Sequence, residues 1–131
     1  MSWHKHIIVG RLGRDAELRF TPQGKAVANF SLASDTGWGE YKTTMWTRVS
    51  VWGNQAESLT PYLVKGKQVL VSGEMQVDPE TGGPRVWTGS DGVTKASFEM
   101  TAREIRLLGG KGDVEIPSEG NSEPKQDEIP F

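Results

Sequence analysis

The chain has 131 residues, a net charge of −2 and no cysteine. This length suits one domain with a modest core. A chain without cysteine has no disulfides, no thiolate zinc site and no cysteine nucleophile. No apolar run approaches the ~20 residues of a membrane span, and the first residues lack the apolar stretch of a signal peptide. A soluble, intracellular protein is therefore expected.

The charges are unevenly placed along the chain. Residues 1–108 carry 13 Lys and Arg against 11 Asp and Glu, whereas residues 109–131 carry 2 against 6. A mildly basic body with an acidic tail differs from a uniformly acidic protein. The distribution of charge therefore says more about a polyanionic partner than the net charge does.

Short apolar or alternating runs, separated by turn residues, predict several β-strands. A polar hairpin loop is expected over residues 35–44, and a long hairpin arm punctuated by Gly and Pro over residues 77–95. The predicted strands cover residues 7–10, 17–21, 26–34, 45–52, 68–75 and, in one or two pieces, 96–108.

One short helix is expected after the strand at residues 45–52. Asn54 can cap it, and Pro61 should end it or begin a second turn behind Thr60. The residues on one face of this helix, which would plug an opening of the sheet, are Ala56, Leu59 and Leu63. This order of elements predicts an all-β protein with the oligonucleotide-binding (OB) fold, a five-stranded barrel with one short helix.

The strand at residues 45–52 has two different faces, because successive side chains point to opposite sides. The face suited to a core carries Met45, Thr47, Val49 and Val51. The opposite face carries Trp46, Arg48, Ser50 and Trp52. Burying an unpaired guanidinium is costly, whereas indole and guanidinium planes stack on nucleic-acid bases and the charge meets phosphate. The alternative is an amphipathic strand whose tryptophans cover a sheet edge.

Other aromatic residues lie in the two hairpins. Trp38 and Tyr41 stand in a polar loop with little core to join, which favours a binding role over packing on their own sheet. In the arm, alternation puts Arg85 and Trp87 on the same side, again a cation beside an indole.

From residue 109 onwards the composition becomes rich in Gly, Ser, Glu, Pro and Asn, which predicts a disordered acidic tail. The tail ends in an acidic tip (residues 127–131), which consists of Asp127, Glu128, Ile129, Pro130 and Phe131. An apolar end beside acids and a terminal carboxylate suggests a recognition motif for a pocket with a basic rim. A chance apolar ending is the alternative.

Five segments resemble the bacterial-type single-stranded DNA-binding protein family: residues 8–15, 26–33, 46–49, 62–66 and 127–131, which read IVGRLGRD, AVANFSLA, WTRV, YLVKG and DEIPF. The resemblance implies an OB-fold domain over residues 1–108 and a disordered, partner-binding tail over residues 109–131. It further implies a cytoplasmic, nucleoid-associated homotetramer. Such a protein would coat single-stranded DNA without regard to sequence in replication, recombination and repair, and would recruit other proteins through the acidic tip.

Carried over to this sequence, the resemblance implies base stacking by Trp38, Trp46, Trp52 and Trp87, and basic contacts by Arg48 and Lys65. Arg85, beside Trp87, completes the predicted DNA-binding set. Two places depart from the family pattern. Thr47 stands where a histidine often lies at the subunit interface, and residues 77–84 replace a stretch that is commonly more basic.

Two other functions fit the sequence less well than single-stranded DNA binding. An RNA chaperone or tRNA-binding barrel would have the same fold, but no use for the acidic tip. A hydrolase would need a nucleophile or metal site, and the sequence offers only His4 and His6, without a nearby carboxylate. No enzymatic activity, metal or cofactor is therefore expected.

Overall fold

A computed structural model of the chain describes residues 1–109. The predictions for the tail from residue 110 onwards, including the acidic tip, lie outside these residues. The elements are β1 (His6–Leu12), β2 (Glu17–Phe20), β3 (Ala26–Thr36), β4 (Thr43–Trp52), α1 (Asn54–Leu59), β5 (Gln68–Gln76), β6 (Arg85–Thr88) and β7 (Thr94–Leu107). Two 3₁₀ turns accompany them, Gly39–Tyr41 and Thr60–Tyr62.

Five of the strands close into a barrel. Their order is β1-β5-β7-β4-β3, and β1 then pairs with β3 through Arg11–Ala33 and Leu12–Leu32. Strands β4 and β7 run parallel, whereas the other pairs are antiparallel. Strand β2 adds to β3, and β6 adds to β7 as a two-stranded arm. This closed barrel with one short helix is the OB fold, so the predicted fold class is confirmed.

The inward faces of the barrel strands supply an apolar core. Its fully buried members include Leu32, Val49, Val51, Val69, Val71 and Met100. Close contact between β5 and β7 requires a glycine, because a Cβ at position 73 would collide with the carbonyl oxygen of Thr101. The register of these strands also shifts here: Gly73 pairs with Ala102 and Ser72 with Glu104, leaving Arg103 as a bulge. The predicted closing strands are therefore one bulged strand.

Thr47 is a polar exception in this core. It is 1% exposed, and its hydroxyl has no hydrogen-bond partner among residues 1–109. Leaving such a group unsatisfied costs about 1–3 kcal/mol. Phe98, the residue of β7 that lies opposite Thr47 in the strand register, is 49% exposed. Thr47 thus points into the barrel of the single chain.

The helix acts as the predicted plug, although it begins differently. Ala56 and Leu63 are fully buried, and Leu59 packs against the core. The prediction that Asn54 caps the helix was wrong. The cap residue is Gly53, whose φ of 78° turns the chain directly after β4, and it makes no side-chain cap. Asn54 is instead the first helical residue, and Pro61 lies in the second, 3₁₀ turn.

The hairpin loops are shorter than predicted, because polar residues continue the strands beyond the core. Asp35 pairs with Thr44 and Thr36 with Thr43, which leaves residues 37–42 as the β3–β4 loop. In the arm, strand pairing extends from Arg85–Ser97 to Thr88–Thr94. Backbone hydrogen bonds of a ladder do not depend on whether the side chains are apolar, so hydropathy underestimates such extensions.

Candidate nucleic-acid interface

Strand β4 alternates as the sequence predicts. Its buried or partly buried inward side chains are Met45, Thr47, Val49 and Val51. Its outward side chains are Trp46, Arg48, Ser50 and Trp52, of which Trp46 is 53% and Trp52 41% exposed. The two indoles stand about 20 Å apart along the strand, at ~3.3 Å per residue, with the guanidinium of Arg48 between them.

The outward residues of the neighbouring strands form a polar floor between these indoles. In one row of the sheet Ser31, Arg48, Glu99 and Gln76 are register partners, and in the next row Asn29, Ser50, Thr101 and Glu74. Within the floor the Ser50 hydroxyl donates to Asn29 Oδ1 at 2.7 Å, and Gln76 Nε2 donates to Thr101 Oγ1 at 2.8 Å. We call the outward face of β4 together with these rows the tryptophan face.

The arm carries a second indole with its own cation. Arg85 Cζ lies 4.7 Å from the centroid of the Trp87 ring, so the predicted neighbourhood of cation and indole on the arm is confirmed. The same guanidinium donates through Nε to Glu99 Oε2 at 3.1 Å. Because Glu99 belongs to the tryptophan face, this ion pair connects the arm to that face.

A cation that the sequence did not predict lies beside Trp52. Lys25 Nζ lies 6.0 Å from the centroid of the Trp52 ring, at the outer limit of a cation–π contact. The register explains the contact, because Val27 pairs with Trp52 and Lys25 stands two residues before Val27. The sequence offered no signal for this pair, since the two residues are 27 positions apart and only strand pairing brings them together.

Gly13 supports Trp46, and the sequence did not predict this contact either. A Cβ at position 13 would lie 2.6 Å from Trp46 Cζ3 and 2.9 Å from Cη2. The indole therefore rests against the backbone of Gly13, whose amide donates to the Ser31 carbonyl at 3.0 Å. Gly13 stands inside one of the segments that resemble the family, but the sequence did not show which side chain it faces.

Two predicted site residues, Trp38 and Lys65, lie in connections between the strands. Trp38 is 83% exposed in the β3–β4 loop, where its carbonyl accepts from the Tyr41 amide. The amide of Lys65 donates to Asp15 Oδ1 at 2.8 Å, which places Lys65 beside the β1–β2 connection.

Two cations of the tryptophan face have no ion-pair partner within the part of the chain that the structure describes. Among residues 1–109, neither Lys25 nor Arg48 has an ion-pair partner. Glu74, farther round the sheet, is paired: hydrogen bonds from the Arg103 guanidinium hold the pKa of its carboxyl below the usual range. The same hydrogen bonds raise the pKa of Arg103. This pair stays ionised at neutral pH and adds no net charge.

Within residues 1–109, no group of three or more His, Asp or Glu side chains is placed to hold a metal ion. No helix in this part of the chain has the length and apolarity needed to cross a membrane.

The sequence was compared with known protein families and with curated proteins. A model of the Single-strand binding protein family matches residues 3–108. The chain belongs to this family. The matched residues therefore include the whole barrel and the arm.

Curated relatives in the family are similar over most of this chain. A single-stranded DNA-binding protein of Neisseria meningitidis serogroup A is 35% identical over 118 residues, covering 86% of this chain and 64% of its own length. One from Xanthomonas axonopodis pv. citri is 37% identical over 115 residues, covering 84% and 60%. The chain thus spans less than two thirds of the length of these relatives.

Replacing Gly13 by alanine should displace the Trp46 ring without unfolding the barrel. The new methyl group meets only the outer end of a half-exposed side chain, which can move. We expect a changed near-ultraviolet circular dichroism spectrum and tryptophan emission, with an unfolding midpoint close to that of the wild type.

The change should disappear when Gly13→Ala is made in a Trp46→Phe background, because the ring that moves is then absent. Gly109→Ala is the matched control, since a Cβ there has no atom within 4 Å. Identical spectra of Gly13→Ala and wild type would show that Gly13 does not position Trp46.

Proposed function

We propose that this protein binds single-stranded DNA independently of sequence and protects it during replication, recombination and repair. The observation that carries the proposal is the tryptophan face, on which two half-exposed indoles flank an arginine that has no ion-pair partner among residues 1–109, above a polar floor. Family membership supports the same function. In this proposal the protein acts by binding, and its role requires no catalysis.

Stacking supplies the sequence-independent part of the binding. Every base has a π-face, so an indole accepts any of them, and each stack contributes roughly 1–3 kcal/mol. Trp46, Trp52 and Trp87 would be the stacking positions of the face and arm, and Trp38 would extend them from the loop. Duplex DNA hides the faces of its bases, which explains a preference for single strands without any reading of sequence.

Electrostatics supplies the second part of the binding. A cation that meets a phosphate releases condensed counterions, so the binding constant falls as salt is added. Each such contact on a single strand adds about 0.7 to the steepness of log K against the logarithm of the salt concentration, which we call the salt slope. Arg48 and Lys25 are the cations of the face without ion-pair partners among residues 1–109. Lys65 would contact a strand that leaves the face towards the β1–β2 connection.

Trp46→Ala and Trp52→Ala should each weaken binding of oligo-dT by roughly 1–3 kcal/mol, with the fold retained because both side chains face outward. Arg48→Ala should reduce the salt slope by about 0.7. Fluorescence anisotropy of a labelled oligonucleotide measures both effects, and a circular dichroism melt checks the fold.

Trp3→Ala is the matched control for these variants, because Trp3 is 79% exposed, lies before β1 and is not one of the proposed stacking positions. It should leave the affinity unchanged. A duplex of equal length should bind far more weakly at moderate salt. Equal affinity for duplex and single strand would reject the proposed function.

We also propose that the protein assembles as a homotetramer, in which the open edge of β1 forms one of the interfaces between subunits. Residues His6–Arg11 pair with β5 along one edge, whereas pairing with β3 on the other edge involves only Arg11 and Leu12. A groove of about 640 Å³ follows this open edge, and Ile7 beside it is 60% exposed. An unpaired strand edge with an apolar side chain favours association with another strand.

Light scattering should accordingly give four times the mass of the chain, and Ile7→Lys should lower the mass because it puts a charge into the interface. Val93→Lys is the control, since Val93 is 52% exposed in the turn of the arm, away from β1. If Ile7→Lys keeps the mass of the wild type, the interface lies elsewhere. A monomeric wild type would reject the tetramer.

The acidic tip is proposed to recruit replication and repair proteins. Residues 109–131 carry a formal charge of −4, so they should compete weakly with DNA for the basic residues of the body. Ile129 and Phe131 would supply the apolar contacts to a partner, and Asp127 and Glu128 the contacts to its basic rim.

Deleting residues 127–131 should leave the affinity for oligo-dT unchanged or slightly higher, most visibly at low salt where screening is weakest. The same deletion should abolish recovery of partner proteins from a bacterial lysate. Phe131→Ala should have nearly the same effect on recovery, whereas the control Lys125→Ala should have little. Equal recovery by all these proteins would contradict a role of the tip in recruitment.

A further inference from the structure

Glu99 places a carboxylate on the face that is proposed to receive a polyanion. It is the register partner of Arg48 on one side and of Gln76 on the other. Its side chain is only 18% exposed. The carboxylate accepts from the Ser97 hydroxyl at 2.8 Å and from Arg85 Nε at 3.1 Å, both through Oε2.

The arm does not need this carboxylate to stay in place. Strand β6 is held on β7 by its own ladder, in which Arg85, Val86, Trp87 and Thr88 pair with Ser97, Ala96, Lys95 and Thr94. The side chain of Arg85 is 52% exposed, whereas that of Glu99 is 18% exposed. Water therefore screens the pair from the Arg85 side, and the guanidinium is open there to a second anion that could replace Glu99.

The position of Arg85 makes a phosphate the natural competitor. Its guanidinium lies over the Trp87 ring, at 4.7 Å from the centroid, and so covers one face of the indole. A nucleotide that stacks on the other face would bring its phosphate to within reach of the same guanidinium. An arginine forms hydrogen-bonded pairs with phosphate as readily as with carboxylate.

We propose that Glu99 is an internal competitor of the DNA phosphate for Arg85 and thereby lowers the affinity for single-stranded DNA. In the free protein the carboxylate neutralises Arg85. In the complex a phosphate takes its place on the guanidinium, while the Ser97 hydroxyl remains a donor to Glu99. This inference rests on the proposed function. It assigns to Glu99 the role of limiting how tightly the arm holds a strand, so that bound DNA is released more readily.

Glu99→Gln tests the proposal, because glutamine keeps the shape and an acceptor oxygen but removes the charge. The variant should bind oligo-dT several-fold more tightly at low salt. Its salt slope should be steeper by about 0.7, the value for one further phosphate contact on a single strand. A fourfold increase in salt should therefore shrink its advantage by about 2.6-fold. Anisotropy of a labelled oligonucleotide avoids any direct effect of the substitution on the fluorescence of Trp87.

Arg85→Gln shows whether the gain acts through this guanidinium. In the Glu99→Gln background it should lower the salt slope by about 0.7, and in the presence of Glu99 by clearly less. If it lowers the slope equally in both backgrounds, Arg85 already contacts phosphate freely and the proposal is overturned. An unchanged or weaker affinity of a folded Glu99→Gln protein would overturn it as well.

Glu104→Gln is the control for a general change of charge. Glu104 lies on the same strand, about 16 Å from Glu99 at ~3.3 Å per residue, and pairs with Arg106 at 2.6 Å. It should leave the salt slope unchanged, and an equal gain from both variants would reject a specific role of Glu99. A wild type that fails to bind oligo-dT would instead refute the proposed function. If Glu99→Gln did not fold, a slope loss of a full 0.7 for Arg85→Gln in the presence of Glu99 would still overturn the proposal.

Discussion

Strand β4 is hydrogen-bonded along both edges, antiparallel to β3 and parallel to β7, and this double pairing fixes which of its side chains meet water. A slip of one residue in either register would move every side chain of the strand to the other face. Val49 and Val51 would then leave the core, and the Arg48 guanidinium would enter it at a high desolvation cost. The barrel therefore holds its register and displays its tryptophans through the same set of contacts.

The positions of the exposed indoles depend on residues that contact them from other parts of the chain as much as on the strand itself. Trp46 rests on Gly13, where a larger residue would occupy the space of the ring. Trp52 has Lys25 at one side of its ring, and Trp87 has Arg85. Indoles that are held before a ligand arrives lose less side-chain entropy on binding. In the proposed function, these supporting residues would raise the affinity without having to touch a base.

Charge on this protein is organised by pairing and not by number. The whole chain has a net charge of −2, yet the centre of the tryptophan face holds an arginine without an ion-pair partner among residues 1–109. Nearby, Arg85 is paired with Glu99 and Arg103 with Glu74. Paired cations add little to the long-range potential. The affinity of this face for a polyanion therefore depends more on the local potential at Arg48, next to Glu99 in the sheet, than on the isoelectric point of the chain.

The sequence by itself determined the class of fold, the approximate strands and the two faces of β4, because these follow from a period of two in short-range hydropathy. It also predicted that Arg85 and Trp87 share a side. The strand ends and the helix cap were misjudged where backbone pairing or the positive φ of Gly53 overrode side-chain preference.

Only the tertiary structure decided which residues support and oppose that face. Gly13 and Trp46, Lys25 and Trp52, and Arg85 and Glu99 are each far apart along the chain, and the closed barrel or the arm brings them together. Contacts of this kind depend on strand register, which is set cooperatively by the whole core. No local pattern of residues encodes them, and so the carboxylate of Glu99 on the proposed DNA surface became visible only in the folded chain.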